Sequence, residues 1–246
     1  MERVTKIMAA RGMCSRREAE RLIDAGEVLV DGEVVREQGR KARADARIEI
    51  VGAGLARRQE LVTVLLHKPV GIVSTQPEPG QVPAHKLLRR DNVAGVVDPD
   101  TLRRVTSDPA SLSVAGRLDR ASRGLLVLTQ DGTVARRIIG GGELEKVYLV
   151  RTREPATDAQ IRKLCGPLAL DERRLRPMKV QRAGENTLRF ALVEGRYHQI
   201  RRLCRRFGLE VEDLFRIAIG PFRLGDLPEG HWRLATAREM TALTTG

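Results

Sequence analysis

Aromatic side chains are scarce in this chain. They make up 3% of 246 residues: Tyr148, Tyr197, Phe190, Phe207, Phe215, Phe222 and Trp232. Such scarcity disfavours a single-strand binder that works through rows of stacked rings. Cysteines are few and far apart, and Cys14, Cys165 and Cys204 form no CxxC pair. Neither a disulfide framework nor a cysteine-built zinc site is expected, and a reducing, cytoplasmic setting is. Long apolar runs are missing too. Stretches such as Leu61–Leu66 fall far short of the roughly 20 residues that cross a bilayer, so no membrane partner is expected. The opening MERVTKIMAARG has acids and bases in place of the apolar core of a signal peptide.

What the chain does have is positive charge. There are 44 Lys and Arg against 32 Asp and Glu, a formal net charge of +12. With 41% hydrophobic residues this is the composition of a folded, soluble protein with a polyanionic partner. The first 60 residues are nearly balanced, with 13 basic and 11 acidic residues, so most of the excess falls later. Arginine contacts to phosphate, on folded RNA, fit this distribution better than base stacking does.

The first fifty residues read as a compact unit. Val4, Ile7 and Met8 have helical spacing, and Gly12 breaks it. Ser15 followed by Glu18 is a capping-box signature. It opens a second helix with Ala19, Leu22 and Ile23 inward and Gly26 at its C-terminal cap. Val28–Val30, Asp31-Gly32 and Val34-Val35 then predict a tight hairpin. Arg16, Arg17 and Arg21 fall on the exposed face of the second helix. Residues 53–60, with small residues and an arginine pair, read as a linker.

Beyond it, Leu61–Leu66 reads as a buried strand running into His67-Lys68-Pro69-Val70-Gly71. A stretch from about Thr75 to Ser113, with five prolines and no clear period, reads as a surface insertion or mobile loop. In GRLDRASRG, Gly116 and Gly124 bracket a loop whose one carboxylate, Asp119, is flanked by Arg117, Arg120 and Arg123. Those arginines are expected to hold it ionised, which suits a nucleophile or an oxocarbenium stabiliser better than a general acid. A surface salt bridge is the plainer reading of the loop taken alone. Tyr148 lies in an alternating strand, on one face with Lys146 and Val150. From Arg196 to Arg206 there are five arginines and no acid, and Ile200, Leu203, Cys204 and Phe207 share a helical face. His198 has no histidine near it in sequence and by itself points neither to acid–base work nor to a metal.

Two resemblances connect these pieces. MERVTKIMAARGMCSRREAERLIDAGEVLVDGEVV resembles the S4 RNA-binding domain, through Gly12, Ser15, Arg16, Ala19, Leu22, Ile23, Gly26, Val28, Val30 and Gly32. That implies RNA contact through the helix starting near Ser15, with Arg16, Arg17 and Arg21 on phosphates. KPVG, GRLDRASRGLL, EKVYLV, EGRYHQIRRL and LFRIAIGPFRLGDLPEGHWR, in that order, resemble RNA pseudouridine synthases of the RsuA, RluB, RluE and RluF family. The C-terminal part is closest in look to RluF, and EGRYHQ also resembles RsuA. The stretch 76–113 is longer than in those relatives.

The resemblance implies an α+β protein. A small S4-like helix-hairpin domain (1–52) and a linker (53–60) would precede a catalytic domain (61–246) with a mixed, largely antiparallel sheet. It implies isomerisation of uridine to pseudouridine in ribosomal RNA, preferably the large-subunit 23S rRNA and otherwise the 16S. The partner would be rRNA or a pre-ribosomal particle, and a monomer is expected. No cofactor and no metal are implied, because the reaction is neither redox nor hydrolytic. Asp119 would be the central catalytic residue, attacking C1′ or removing a sugar proton. Tyr148 would stack on the detached base and help remove the C5 proton, and Arg201 would pair with Asp119. Leu214 would line the base pocket, Arg117 would fill the space left by the target nucleotide, and Arg196 and Arg202 would add RNA contacts. Two other classes are weighed against this. An inactive S4-containing binding protein predicts damage at Asp119, Tyr148 or Arg201, and all are intact. A glycosidase-like hydrolase needs two carboxylates about the bond, and the loop offers one.

Overall fold

The computed structural model describes residues 1–140 and 144–245. After a short strand, β1 (Glu2–Arg3), the helices α1 (Val4–Ala10) and α2 (Arg16–Asp24) form where the apolar spacing puts them. They bury Val4, Ile7 and Met8 against Ala19, Leu22 and Ile23. Ser15 Oγ accepts from the Glu18 N–H at 3.2 Å, satisfying an otherwise orphaned donor at the start of α2. The return half of the capping box is not made, because the Glu18 carboxylate is taken by Arg58 at 2.8 Å. Gly26, at φ +72°, closes the helix in the left-handed region.

β2 (Val28–Val30) and β3 (Glu33–Val34) form the expected hairpin, and Asp31 and Gly32 both have positive φ, as a type I′ turn requires. β4 (Lys41–Ala42) pairs with β1, and β5 (Ile48–Ile50) pairs with β2. The segment expected as a linker is helical. α3 (Gly52–Gln59) places Arg57 and Arg58 at its C-terminal end, where the helix dipole favours cations. Arg57 reaches Glu27, and Arg58 reaches Glu18 and lies 3.9 Å from Asp131. These ion pairs make the connection a brace rather than a free tether.

The rest of the chain builds a nine-stranded sheet. Its strands are β6 (Thr63–Lys68), β7 (Ser113–Ala115), β8 (Arg123–Thr129), β9 (Lys146–Thr152), β12 (Lys179–Gly184), β13 (Thr187–Leu192), β14 (Val211–Ile219), β15 (Phe222–Arg223) and β16 (Trp232–Leu234). A separate two-residue hairpin, β10 (Ala169–Leu170) with β11 (Arg173–Arg174), lies between β9 and β12 in the chain. The main order is β12-β13-β9-β14-β8-β6-β16, with β15 on β14 and β7 on β8. Every pairing in it is antiparallel except β14 with β8.

Strands alternate their side chains between faces, so β6 and β8 feed two cores. Leu65, Leu125 and Val127 pack under α5 (Gly132–Ile139) and α8 (Ala237–Thr245), and Val64, Leu66, Leu126 and Leu128 pack with Trp232. A third core lies between β9, β12 and β13 and the helices α6 (Asp158–Cys165) and α7 (Gln199–Arg206).

The stretch 76–113, expected as a surface or mobile loop, is ordered and partly buried. It holds α4 (Pro99–Ser107) and three short 3-10 turns, at Ala84–Leu87, Arg90–Asn92 and Pro109–Ser111. Ala84, Leu88, Val105 and Leu112 close the core around Trp232, whose Nε1 donates to the Arg89 carbonyl at 2.9 Å. Its apolar residues come from successive turns and so show no period.

The N-terminal unit docks on the start of α5. Gly132 faces Ser15 so closely that a Cβ on Gly132 has no room, and Arg136 donates to the Ala9 carbonyl at 2.9 Å. Among the described residues no helix is long and apolar enough to cross a membrane.

Candidate active site

The loop between β7 and β8 carries Asp119 and is held from several sides. Buried Ser74 grips Leu118, accepting its N–H at 2.9 Å and donating to its carbonyl at 2.6 Å. The Gly71 N–H donates to the Arg120 carbonyl at 2.8 Å, and Arg120 Nε returns to the Gly71 carbonyl at 3.1 Å. The Ser122 N–H closes a turn onto the Asp119 carbonyl at 3.0 Å.

Deeper in, Arg216 of β14 is fully buried and donates to three carbonyls, those of Leu125 (2.8 Å), Arg117 (3.2 Å) and Gly116 (3.0 Å). It can approach so far because β8 carries Gly124, at φ +110°, against the Arg216 backbone; any Cβ there would collide with it. Arg216 was not singled out from sequence. The signal was a cation at an inward position of the alternating run Leu214, Arg216, Ala218.

Lys68, at the end of β6, is also buried. Its Nζ donates to the carbonyls of Pro69 and Ile72, both at 2.8 Å, and so shapes the turn that carries Gly71. Burial, helped by repulsion from Arg216, lowers its pKa to about 8 against the opposing pull of Asp119 and Glu229.

One cavity of about 910 Å³ opens here. Arg117, Asp119, Tyr148, Arg196, Arg201 and Leu214 all border it, so the structure brings together six residues far apart in sequence. Tyr148 and Leu214 are buried, on the adjacent strands β9 and β14, and the Arg216 guanidinium lies 5.9 Å from the Tyr148 ring centroid.

Two expectations about arginines need correction. Arg201 does not pair with Asp119. Its Nη2 donates to the Ala121 carbonyl at 2.8 Å and its Nη1 to the Val211 carbonyl at 3.3 Å. The side chain that faces the Asp119 carboxylate is His198, with Nε2 3.5 Å from Oδ1. Nor do Arg120 and Arg123 flank the carboxylate, since Arg120 turns to Gly71 and Arg123 forms a two-pronged pair with Asp213 beneath Phe215.

Arg196 and Arg202, expected to add RNA contacts, also have partners within the protein. Arg196 donates to the carbonyls of Leu170, Arg173 and Arg174, and Arg202 grips Asp171; together they strap the β10–β11 hairpin to α7. Arg16, Arg17 and Arg21 stand exposed on α2, without an ion pair among the described residues.

The cavity holds a second carboxylate that sequence reasoning did not place there, Glu194. Its Oε1 accepts from the Arg176 N–H at 2.9 Å and from Gln199, and Arg196 lies 3.7 Å from its other oxygen. Glu194 is thus engaged in holding its own loop. Among the described residues no three His, Cys, Asp or Glu side chains are grouped as metal ligands.

The family model described as RNA pseudouridylate synthase matches residues 62–206, which include Asp119, Tyr148 and Arg201. The chain belongs to the RNA pseudouridylate synthase family. The S4 domain model matches residues 2–48. The synthase is 34% identical over 244 residues to the dual-specificity RNA pseudouridine synthase RluF of Escherichia coli, covering 98% of this chain and 78% of that one. It is 31% identical to the ribosomal small subunit pseudouridine synthase A of Pseudomonas aeruginosa, covering 98% and 100% of the two chains. An uncharacterised RNA pseudouridine synthase of Aquifex aeolicus is 32% identical over 98% of this chain and 93% of its own. The fold matches a crystal structure of a pseudouridylate synthase with a TM-score of 0.64 and 24% identity, over 99% of this chain and 100% of that one. The synthase is therefore an isomerase that acts on RNA, and its α+β architecture is that of the family.

Proposed function

We propose that this synthase isomerises a specific uridine of ribosomal RNA, in the 23S rRNA of the large subunit, with Asp119 as its central catalytic group. The observation that carries this is one unpaired-by-arginine carboxylate, held on a pinned loop, facing a cavity that Tyr148 and Leu214 also line. In the reaction the N1–C1′ bond of uridine breaks, the uracil turns over in place, C5 bonds to C1′, and the proton lost from C5 is balanced by one gained at N1. Asp119 serves the sugar, by attack at C1′ or by removing a sugar proton. Tyr148 stacks on the released base and its hydroxyl takes part in removing the C5 proton. Leu214 packs on the base, and Arg117, exposed at the mouth, fills the place of the extruded nucleotide. Arg201 acts on the loop through Ala121.

A target within folded RNA must leave its stack, at a cost of a few kcal/mol, before Asp119 reaches it. Phosphate contacts from Arg16, Arg17 and Arg21 offset part of that cost. We take residues 1–52 as the RNA-binding unit and 61–246 as the catalytic unit, acting on rRNA or a pre-ribosomal particle as a monomer in the cytoplasm.

The RluF-like look of the C-terminal motifs is the reason for preferring the large-subunit target, and the full-length likeness to a small-subunit enzyme makes 16S the alternative. The test is to treat unmodified 23S and 16S transcripts with the enzyme and map pseudouridine chemically. One new site in 23S RNA is expected. A site confined to 16S RNA replaces the target assignment, and free uracil without pseudouridine overturns the isomerase chemistry in favour of hydrolysis.

A further inference from the structure

Tyr197 is the most conspicuous residue that the chemistry above leaves unused. It is 75% exposed, while Tyr148, Phe190, Phe222 and Trp232 are buried and Phe207 and Phe215 half-buried. An exposed ring in a chain so poor in aromatics is not core packing. Its hydroxyl has no hydrogen-bond partner among the described residues. One face of the ring is covered by the His198 imidazole, with centroids 4.0 Å apart and planes 13° from parallel. Both rings border the Asp119 cavity.

The turn beneath the pair is built to hold it. His198 has φ +51° and ψ +29°, a left-handed conformation that costs a non-glycine residue of this kind about 1 kcal/mol or more. The strain is maintained by the surroundings. The Arg196 N–H donates to buried Gln199 Oε1 at 2.9 Å, and the Arg202 N–H to the His198 carbonyl at 2.9 Å. Three carbonyls of the neighbouring hairpin fix the Arg196 guanidinium. In that conformation the imidazole lies flat against Tyr197 while its Nε2 stays 3.5 Å from Asp119.

We propose that Tyr197, backed by His198, is a stacking platform for a nucleobase adjacent to the target uridine. The proposal rests on the isomerase reading above. When the target leaves its stack, the neighbouring base loses a partner. An exposed ring face at the mouth of the cavity replaces it, and unpaired RNA bases are commonly held in this way on aromatic side chains. Because the ring is already fixed, little ordering cost accompanies binding. A cavity of about 910 Å³ lies at the upper end of the range that holds a single drug-sized ligand, which leaves room for part of a neighbouring nucleotide. Stacking takes any base, so the platform positions the strand and contributes affinity rather than reading sequence.

The experiment uses a short stem-loop RNA containing the uridine mapped in the rRNA transcripts. It is prepared intact, with an abasic site on the 5′ side of the target, and with one on the 3′ side. Wild type, Tyr197→Phe and Tyr197→Ala are compared by the RNA concentration giving half-maximal single-turnover rate and by the rate at saturation. On intact RNA, Tyr197→Ala should raise the half-saturating concentration about 5- to 150-fold, the range seen when a base-stacking aromatic is removed. Its saturating rate should stay within about threefold, and Tyr197→Phe should match wild type. One of the two abasic RNAs should weaken wild type by a similar factor and be indifferent to Tyr197→Ala, as a thermodynamic cycle requires of a direct contact. The proposal is overturned if Tyr197→Ala binds intact RNA as wild type does, or if its loss is the same on both abasic RNAs. If wild type isomerises no uridine in either rRNA, the isomerase reading fails first and this inference falls with it.

Discussion

Arg201 donates to the Ala121 carbonyl at 2.8 Å, so it meets the catalytic loop two residues after Asp119 and on the backbone. The side chain and the carboxylate it was expected to neutralise are joined through the chain between them. This changes what its removal should do.

Replacing Arg201 with Ala should depress the single-turnover rate by about 10-fold or more while changing RNA affinity little, because a misplaced loop costs chemistry first. Arg16→Ala, Arg17→Ala and Arg21→Ala should do the reverse. Each should weaken target and non-target RNA alike and flatten the salt dependence by roughly one contact, a slope change of about 0.7 on the single-strand scale. Filter binding across a salt series, with single-turnover rates on the same samples, checks both. If Arg201→Ala tracks the α2 variants, Arg201 is a phosphate anchor.

Asp119→Asn keeps the shape of the side chain and removes its ability to attack or to take a proton. The rate at saturating RNA should fall by about 10²–10⁴-fold or more, with binding within a few-fold of wild type. Retention of more than a few per cent of the wild-type single-turnover rate, with RNA held in excess, means that another group does the chemistry.

Arg216→Met removes a buried guanidinium and leaves the carbonyls of Leu125, Arg117 and Gly116 without their donor. A loss of about 2–5 kcal/mol in unfolding free energy is expected. Urea titration measures it, and a loss below about 0.5 kcal/mol, the level of an ordinary surface change, contradicts the clamp role.

Lys68 gives a signed pH dependence. Its folded-state pKa, about 8, lies below the ordinary value of 10.5, so burial disfavours the charged form. Below pH 8 both folded and unfolded chains hold the proton, and the fold carries the full cost of a buried cation. Between pH 8 and 10.5 the folded form releases the proton while the unfolded form keeps it, so this residue's contribution to stability rises with pH. Wild type minus Lys68→Met, measured by urea unfolding, should gain about 1–3 kcal/mol across that window. A flat or falling difference indicates that the folded protein holds the Lys68 proton at least as firmly as the unfolded chain does.

How much of this was legible depended on whether the signal was local. The helix start at Ser15, the Asp31-Gly32 hairpin and the closing glycine at position 26 are set by neighbours in sequence, and each forms where it was read. Asp119, Tyr148 and Leu214 were found through motif order and do share a cavity. The failures are long-range. No spacing rule reveals that Arg58 takes the Glu18 carboxylate or that Arg201 stops at Ala121. The stretch 76–113 shows no period because irregular turns bury its apolar residues. Yet Asp98-Pro99, a cap followed by proline at the first helical position, marked the start of α4. His198 has no second histidine near it in sequence, and its partner is a carboxylate 79 positions away across the fold.

The seat of the N-terminal unit on α5 has a further consequence. Arg58 lies between Glu18 and Asp131, Ser15 is pressed on Gly132, and Arg136 holds the Ala9 carbonyl. The arginine face of α2 and the Asp119 cavity are thereby two jaws of a fixed caliper. On the roles proposed for α2 and Asp119, a substrate must then satisfy a length as well as a sequence. An RNA with the correct uridine but with base pairs added between it and the element that α2 is proposed to grip would fill one jaw and miss the other.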